Sequence, residues 1–351
     1  MKKKILFITA IAIIGLSSCS KDDNSSNENI SDVSTQALKD FVNVLGEPLY
    51  ADFVTKATAL NDAVVALVAN PTAANQTAAQ NAWVATRVIW EQSEGFLIGP
   101  VEDDNYDPNM DTWPTDKNSI DSMLNKNPNM DDSFLDNVDD ALKGFHPLEY
   151  YLWDFKPETY TDAQKNYMTA LAANILDNTK ALEASWTTGG YGNEIINAGQ
   201  SSSSFTSKEN ALETIANSLI DICSEVGESK MPEPFNAQDS TLTESPYSHN
   251  SVADFKNNIQ GAFNSYKCSY NGTTGKSLSD IVQINNKSLD NKIRQAFTNA
   301  ISSFSALDNT TFELAIYNSR SAVQNIIDQI ETLQTLLSNE LIPYVQQYIK
   351  D

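Results

Sequence analysis

Histidine is nearly missing from this sequence: His146 and His249 are the only two in 351 residues. A zinc site of the His-Glu-x-x-His type needs two histidines one helical turn apart, so that motif is excluded. Cysteine is scarce as well, at three, and Cys-pair metal motifs are absent. Glycine and proline number 13 and 12, which disfavours turn-rich sandwiches and favours long helices. Basic residues are half as frequent as acidic ones, 23 against 46, for a formal charge of −23. That balance excludes a nucleic-acid partner, which needs a basic footprint, and it suits cations and solubility. Phosphate loops and nucleophile elbows are also absent. No stretch alternates well enough to read as a strand, so the expected fold class is all-α.

What is present suffices for real cores: 41% of residues are apolar and 9% aromatic. The length reads as two domains by the soft prior of about 150 residues each. At the N-terminus Met1-Lys2-Lys3-Lys4 is a basic segment, residues 5–14 are apolar but too short to span a bilayer, and Leu16-Ser17-Ser18-Cys19 follows. This resembles a bacterial lipobox cleaved before Cys19, whose thiol would carry lipid, making residues 1–18 a lipoprotein signal peptide. Ser20-Lys21-Asp22-Asp23 resembles the acidic tag that sends some Gram-negative lipoproteins to the outer surface. The expected location is thus the cell envelope, at the outer membrane and surface-exposed, with the membrane as a partner through the lipid. Cys223 and Cys268 are left as buried free thiols.

Residues 19–33 read as a flexible tether. From 34 onward Leu38, Phe41, Val42, Leu45 and Leu49 recur at helical spacing. After an interruption at Gly46-Glu47-Pro48 the pattern resumes with Leu60, Val64, Leu67 and Val68, up to Asn70-Pro71. The next helix, from about Thr72, sets Trp83, Arg87, Trp90, Glu91 and Glu94 on one face before Gly99-Pro100 stops it. Tryptophans belong in a core, whereas the charged residues among them need a reason, either a buried Arg87 and Glu91 pair or a site. Residues 101–133 read as a long ordered loop with short helices, held by Tyr106, Met110 and Trp113. A long helix over 160–186 and a Gly- and Ser-rich stretch at 187–207 follow. That stretch is the expected junction between an N-terminal bundle, 34–205, and a C-terminal bundle, 206–351. Val323, Ile326, Ile327, Ile330, Leu333 and Leu337 form an apolar stripe in what should be the longest C-terminal helix.

The chemical candidate is Gly144-Phe145-His146-Pro147-Leu148-Glu149. Pro147 fits the first position of a helix and disfavours the α region for the residue before it, making His146 the expected N-cap and Glu149 the N3 residue. The same spacing is that of a capping box, which only finishes a helix end. As a metal site it holds one imidazole and one carboxylate, and Glu91, Glu94 and His249 are the most plausible further donors. Such a set suits iron or manganese as well as zinc.

These blocks resemble the imelysin-like family. The resemblance rests on Gly144-x-His146-x-x-Glu149, on Trp83 with Arg87, Trp90, Glu91, Ser93 and Glu94 up to Gly99-Pro100, on the Asp111 to Asp116 block with Trp113, and on Ser248-His249-Asn250. It implies two packed helical bundles with a polar metal site between them, iron favoured as the metal with zinc the alternative, and an iron-transport system as partner. It also implies a rival reading, a zinc endopeptidase in which Glu149 or Glu94 is the catalytic base. A third reading is a nutrient-binding lipoprotein that uses Trp83, Trp90 and Trp113 for an organic ligand.

Overall fold

A computed structural model describes residues 29–350 other than 128. The signal peptide, Cys19 and most of the tether lie outside the described residues. The first helix, α1 (Ile30–Asp40), passes without a break through a π turn (Phe41–Gly46) into α2 (Glu47–Ala69). The expected interruption at Gly46-Glu47-Pro48 is therefore not there. In the π turn Glu47 N donates to Val42 O, five residues back, and this wider turn accommodates Pro48 where a regular turn would clash. Gly46 is needed for packing, since a Cβ there would fall 2.5 Å from the Trp186 ring.

The remaining helices are α3 (Ala73–Ser93), α4 (Pro100–Asp103), α5 (Tyr106–Asp111), α6 (Lys117–Lys126), α7 (Asp132–Leu135), α8 (Phe145–Asp154), α9 (Asp162–Trp186), α10 (Tyr191–Ile196), α11 (Lys208–Ser224), α12 (Pro232–Ala237), α13 (Ser251–Lys267), α14 (Leu278–Asn285), α15 (Lys287–Ser303), α16 (Phe312–Asn318), α17 (Arg320–Leu336) and α18 (Ile342–Tyr348). Several starts are capped as polar residues before apolar runs demand. Thr72 accepts from Asn75 N, Ser207 from Asn210 N, and Thr161 with Gln164 makes a capping box, each cap contributing about 1 kcal/mol. The segment 187–207 carries the short helix α10, whose Tyr191 ring meets Trp186 at 5.2 Å. The expected longest C-terminal helix, α17, has 17 residues, as do α11, α13 and α15.

Two packed groups result. In one, α2 lies against α3 and α9, with α8 against α3 and α9; in the other, α11, α13, α15 and α17 close a ring in which each touches the next. α1 packs on α11 and α14. Trp83, Trp90, Trp186, Tyr50 and Phe53 are fully buried, each such ring removing enough apolar area to contribute about 1.5–3 kcal/mol. One small correction concerns strands. β1 (Ser269–Tyr270) and β2 (Thr273–Thr274) pair antiparallel across Asn271 and Gly272, both at positive φ, an Asn-Gly hairpin signal.

The groups meet where α3 lies against α13. A Cβ on Gly95 would sit 2.3 Å from Ala262 N, and one on Gly261 2.2 Å from Gln92 O. This backbone approach brings Asn258 of α13 onto the acidic end of α3, where Nδ2 donates to Glu91 Oε2 at 2.6 Å and to Glu94 Oε2 at 2.5 Å.

Candidate metal centre

Helix α3 presents Trp83, Arg87, Trp90 and Glu91 inward, the short 3-10 turn that continues it adds Glu94, and all five are buried. Helical spacing predicts this face; what lies opposite it is tertiary. Arg87 pairs with Glu91 and with Asp111, and its Nη2 reaches Glu244 Oε1 at 2.9 Å while Nε lies 3.7 Å from Asp254 Oδ1. The guanidinium carbon lies 5.7 and 5.2 Å from the Trp83 and Phe145 ring centres. A charge so buried is tolerable only with partners of this kind. Trp90 Nε1 donates to Asp111 Oδ2 at 2.7 Å and Trp83 Nε1 to Phe145 O at 3.1 Å. The two indoles are therefore core residues with engaged polar edges, and neither offers a face to an organic ligand.

His146 is not an N-cap. The cap is Gly144, at φ 85°, and His146 lies in the first turn of α8 with Pro147 just after it. In that turn the missing proline N–H has no helical carbonyl to bond, so the ring costs nothing there. Gly144 also allows close contact, because a Cβ would fall 2.1 Å from Met110 O. The contact sets His146 Nε2 3.1 Å from Asp111 Oδ1, the last residue of α5. The approach is close enough for charge attraction but not aligned for donation, and Nε2 has no hydrogen-bond partner. Nδ1 lies 3.3 Å from Glu149 Oε2. Glu149 Oε1 accepts from Tyr247 N, Ser248 N and Ser248 Oγ at 3.1, 2.7 and 2.7 Å, so this carboxylate ties α8 to the 247–248 loop and orients the imidazole. Burial pushes the His146 pKa down, but the Asp111 and Glu149 carboxylates outweigh it and lift it to about 9.

Lys230 completes the cluster. Its Nζ lies 3.4 Å from Glu94 Oε2, 3.2 Å from Glu244 Oε1 and 3.0 Å from Glu225 Oε1, and 5.5 Å from the Trp113 ring centre. Six buried carboxylates, Glu91, Glu94, Asp111, Glu149, Glu244 and Asp254, thus face Arg87, Lys230 and His146. Burial raises Glu91 and Glu94 well above the ordinary range, offset only in part by Arg87 and Lys230 respectively. It lifts Asp254 to about 7 despite Arg87. Burial would raise Asp111 too, yet Arg87 and His146 outweigh it and hold that carboxyl well below the usual carboxylate range.

Among the described residues, two groupings could hold a cation. Asp111, His146 and Glu244 each bring one ligand atom within 4.8 Å of the other two, and so do Glu91, Glu94 and Asp111. In the second, Glu91 Oε1 is taken by Arg87, whereas in the first Glu244 Oε2 and His146 Nε2 are both buried and make no hydrogen bond, with Asp111 Oδ1 3.1 Å from Nε2. Unpaired groups of this kind are costly, and an imidazole with two carboxylates is a donor set for iron, manganese or zinc. The residues present fit a metal ion.

The expected donors divide accordingly. His146 belongs to the first grouping and Glu91 and Glu94 to the second, while Glu149 stands behind His146. His249 stands apart from both. It precedes α13 at φ 58°, half exposed, with Nδ1 3.1 Å from Glu313 Oε2. Both histidines line one cavity of about 500 Å³, His146 at its floor and His249 toward solvent, with Trp113 on its wall. Ser93 donates to Trp90 O and Asn250 to Asp254 Oδ1. Sequence reasoning missed Asp111, Glu244 and Asp254 as site residues, although each lies in or beside a polar block; Lys230 has no local signal at all.

A protein-family model matches residues 46–339; it is the peptidase M75 model described as Imelysin. The chain is 28% identical over 320 residues, 90% of its length and 87% of the relative's, to Iron-regulated protein A of Synechococcus elongatus. It resembles the crystal structure of an iron-regulated protein A precursor from Parabacteroides distasonis with a TM-score of 0.82 and 25% identity, covering 91% of this chain and 96% of that one. An imelysin-like protein from Psychrobacter arcticum shares the fold, with a TM-score of 0.74 at 14% identity over 92% and 98% of the two chains.

Proposed function

The chain belongs to the imelysin family, and from that membership we propose that it serves iron handling by binding an iron ion at Asp111, His146 and Glu244. The observation that carries the reading is the pair of buried ligand atoms that make no hydrogen bond, Glu244 Oε2 and His146 Nε2, the latter with Asp111 Oδ1 at 3.1 Å, in a cluster where carboxylates outnumber cations. The relative named for iron regulation points to the same element. The surrounding residues prepare the donors. Arg87 holds Asp111 and Glu244 in place, and Glu149 at Nδ1 directs the opposite ring nitrogen of His146 toward the ion, the usual role of a carboxylate behind a ligating histidine.

The endopeptidase reading finds less support. A base for water activation needs a free carboxylate, whereas Glu149 Oε1 already accepts three hydrogen bonds and Glu94 Oε2 is held by Lys230 and Asn258.

Location is part of the proposal. The Leu16-Ser17-Ser18-Cys19 motif supports lipid attachment at Cys19 in the envelope, where an iron-transport system would be the partner. Titration calorimetry with ferrous and zinc ions tests the binding claim. The parent should bind with one site per chain, and Asp111→Asn should lose that binding; a parent that takes up neither ion would overturn the reading.

A further inference from the structure

The metal site opens into a space far larger than an ion requires. The cavity above His146 and Glu244 measures about 500 Å³, within the range of sites that enclose small organic molecules. A water molecule takes about 30 Å³, so an ion completing its shell with a few waters would leave most of that space unused. The protein side of the ion is already committed. Asp111, His146 and Glu244 would hold it, with Arg87 and Trp90 engaged on Asp111. Three donors would leave open positions on an iron ion, and since His146 and Glu244 line the cavity those positions would open into it.

The walls are built for an organic body. Trp113 and Tyr247 supply aromatic rings, with Pro114, Leu242 and Pro246 between polar groups. Tyr247 is pinned in place. Its N–H donates to Glu149, its ring centre lies 5.1 Å from that of Tyr150, and Lys117 Nζ sits 4.5 Å from both rings. Lys117 also lines the cavity, a half-exposed cation whose Nζ lies 3.7 Å from the equally exposed Asp154 Oδ2, on the solvent side of an acidic floor. Thr115 Oγ1 on the same wall is unpartnered. A metal ion held by carboxylates and an imidazole gains little from further apolar walls or from a nearby lysine, whereas an aromatic oxygen-donor chelator uses both.

Resting on the metal-site reading above, we propose that the cargo is a metal chelate: iron carried by a small aromatic oxygen-donor ligand, of the catecholate or aromatic hydroxy-acid class, that fills the remaining coordination positions. Its ring lies against Trp113 and Tyr247, its anionic charge is met by Lys117, and no covalent bond is made or broken.

The test uses the full chain with gallium(III) 2,3-dihydroxybenzoate as a redox-inert probe, beside free dihydroxybenzoate and ferrous ion alone, read by calorimetry. The chelate should bind at least about tenfold more tightly than free dihydroxybenzoate. Trp113→Leu, Tyr247→Leu and Lys117→Ala, each checked for an unchanged melting temperature without ligand, should weaken chelate binding by about tenfold and leave ferrous-ion binding unchanged. Equal binding of chelate and free chelator would overturn the proposal, as would variants that weaken both forms alike or neither. A parent that binds ferrous ion but not the chelate sinks this inference alone; one that binds neither sinks the metal-site reading with it.

Discussion

His146 Nε2 and Asp111 Oδ1 stand 3.1 Å apart, and one glycine makes that possible. Gly144 at φ 85° presses the start of α8 against the Met110 carbonyl, so the imidazole and the carboxylate share one point although they come from different helices.

Gly144→Ala should therefore be among the most damaging single-methyl additions in the chain. It meets both a left-handed backbone and a backbone oxygen 2.1 Å away, and strain of this kind costs on the order of 1–3 kcal/mol before the collision is counted. Urea denaturation should show a loss of at least about 2 kcal/mol. Unchanged stability would mean that the contact between α5 and α8 does not set the site.

Lys230 is held among Glu94, Glu225 and Glu244, so it competes with an incoming ion for Glu244. Lys230→Met should destabilise the metal-free protein by about 3–5 kcal/mol, the usual cost of leaving buried carboxylates unpaired. The same change should strengthen ferrous-ion binding in calorimetry. Weaker binding would assign Lys230 a role in building the site instead.

The metal-free protein should lose stability as pH rises from 4 to 7, in part through Asp107. Burial, with Asp111 nearby, lifts this carboxyl to about 7, above its unfolded value of about 4. The folded state keeps the proton longer than the unfolded chain, so the penalty is absent below pH 4 and complete above pH 7. In a chelator, Asp107→Asn should raise the melting temperature at pH 8 and leave it unchanged at pH 4. A gain at pH 4 equal to that at pH 8 would remove Asp107 as the cause.

Much of this architecture is legible in the chain. The face of Trp83, Arg87, Trp90, Glu91 and Glu94 follows from spacing on a single helix, and the starts of α3 and α9 follow from Thr72 and Thr161. What escapes sequence reading depends on geometry between elements. Asp111, Glu244 and Lys230 reach the site from α5, from the loop before α13 and from the π turn after α11, and nothing local to each reveals the others. His146 is read as a cap because Pro147 dominates the local argument, whereas the positive φ of Gly144 moves the cap two residues earlier. Pro48 fails to end a helix for a similar reason, since a π turn absorbs it.

Anchoring is checked by fractionation. Cys19→Ser should move the protein from the membrane pellet to the soluble fraction, because lipid on that thiol is the proposed attachment. A variant that still pellets would place the anchor elsewhere.

The most direct measurement of the central claim is the shift in melting temperature on adding ferrous ion, taken for the parent, His146→Ala, Glu244→Gln and His249→Ala. A ligand that binds the folded state stabilises it by RT ln(1 + [L]/Kd), about 2.7 kcal/mol at a hundredfold excess over Kd. The parent and His249→Ala should rise together, since His249 stands outside the donor group, while His146→Ala and Glu244→Gln should not respond. Equal shifts in the parent and in His146→Ala would contradict a site built on Asp111, His146 and Glu244.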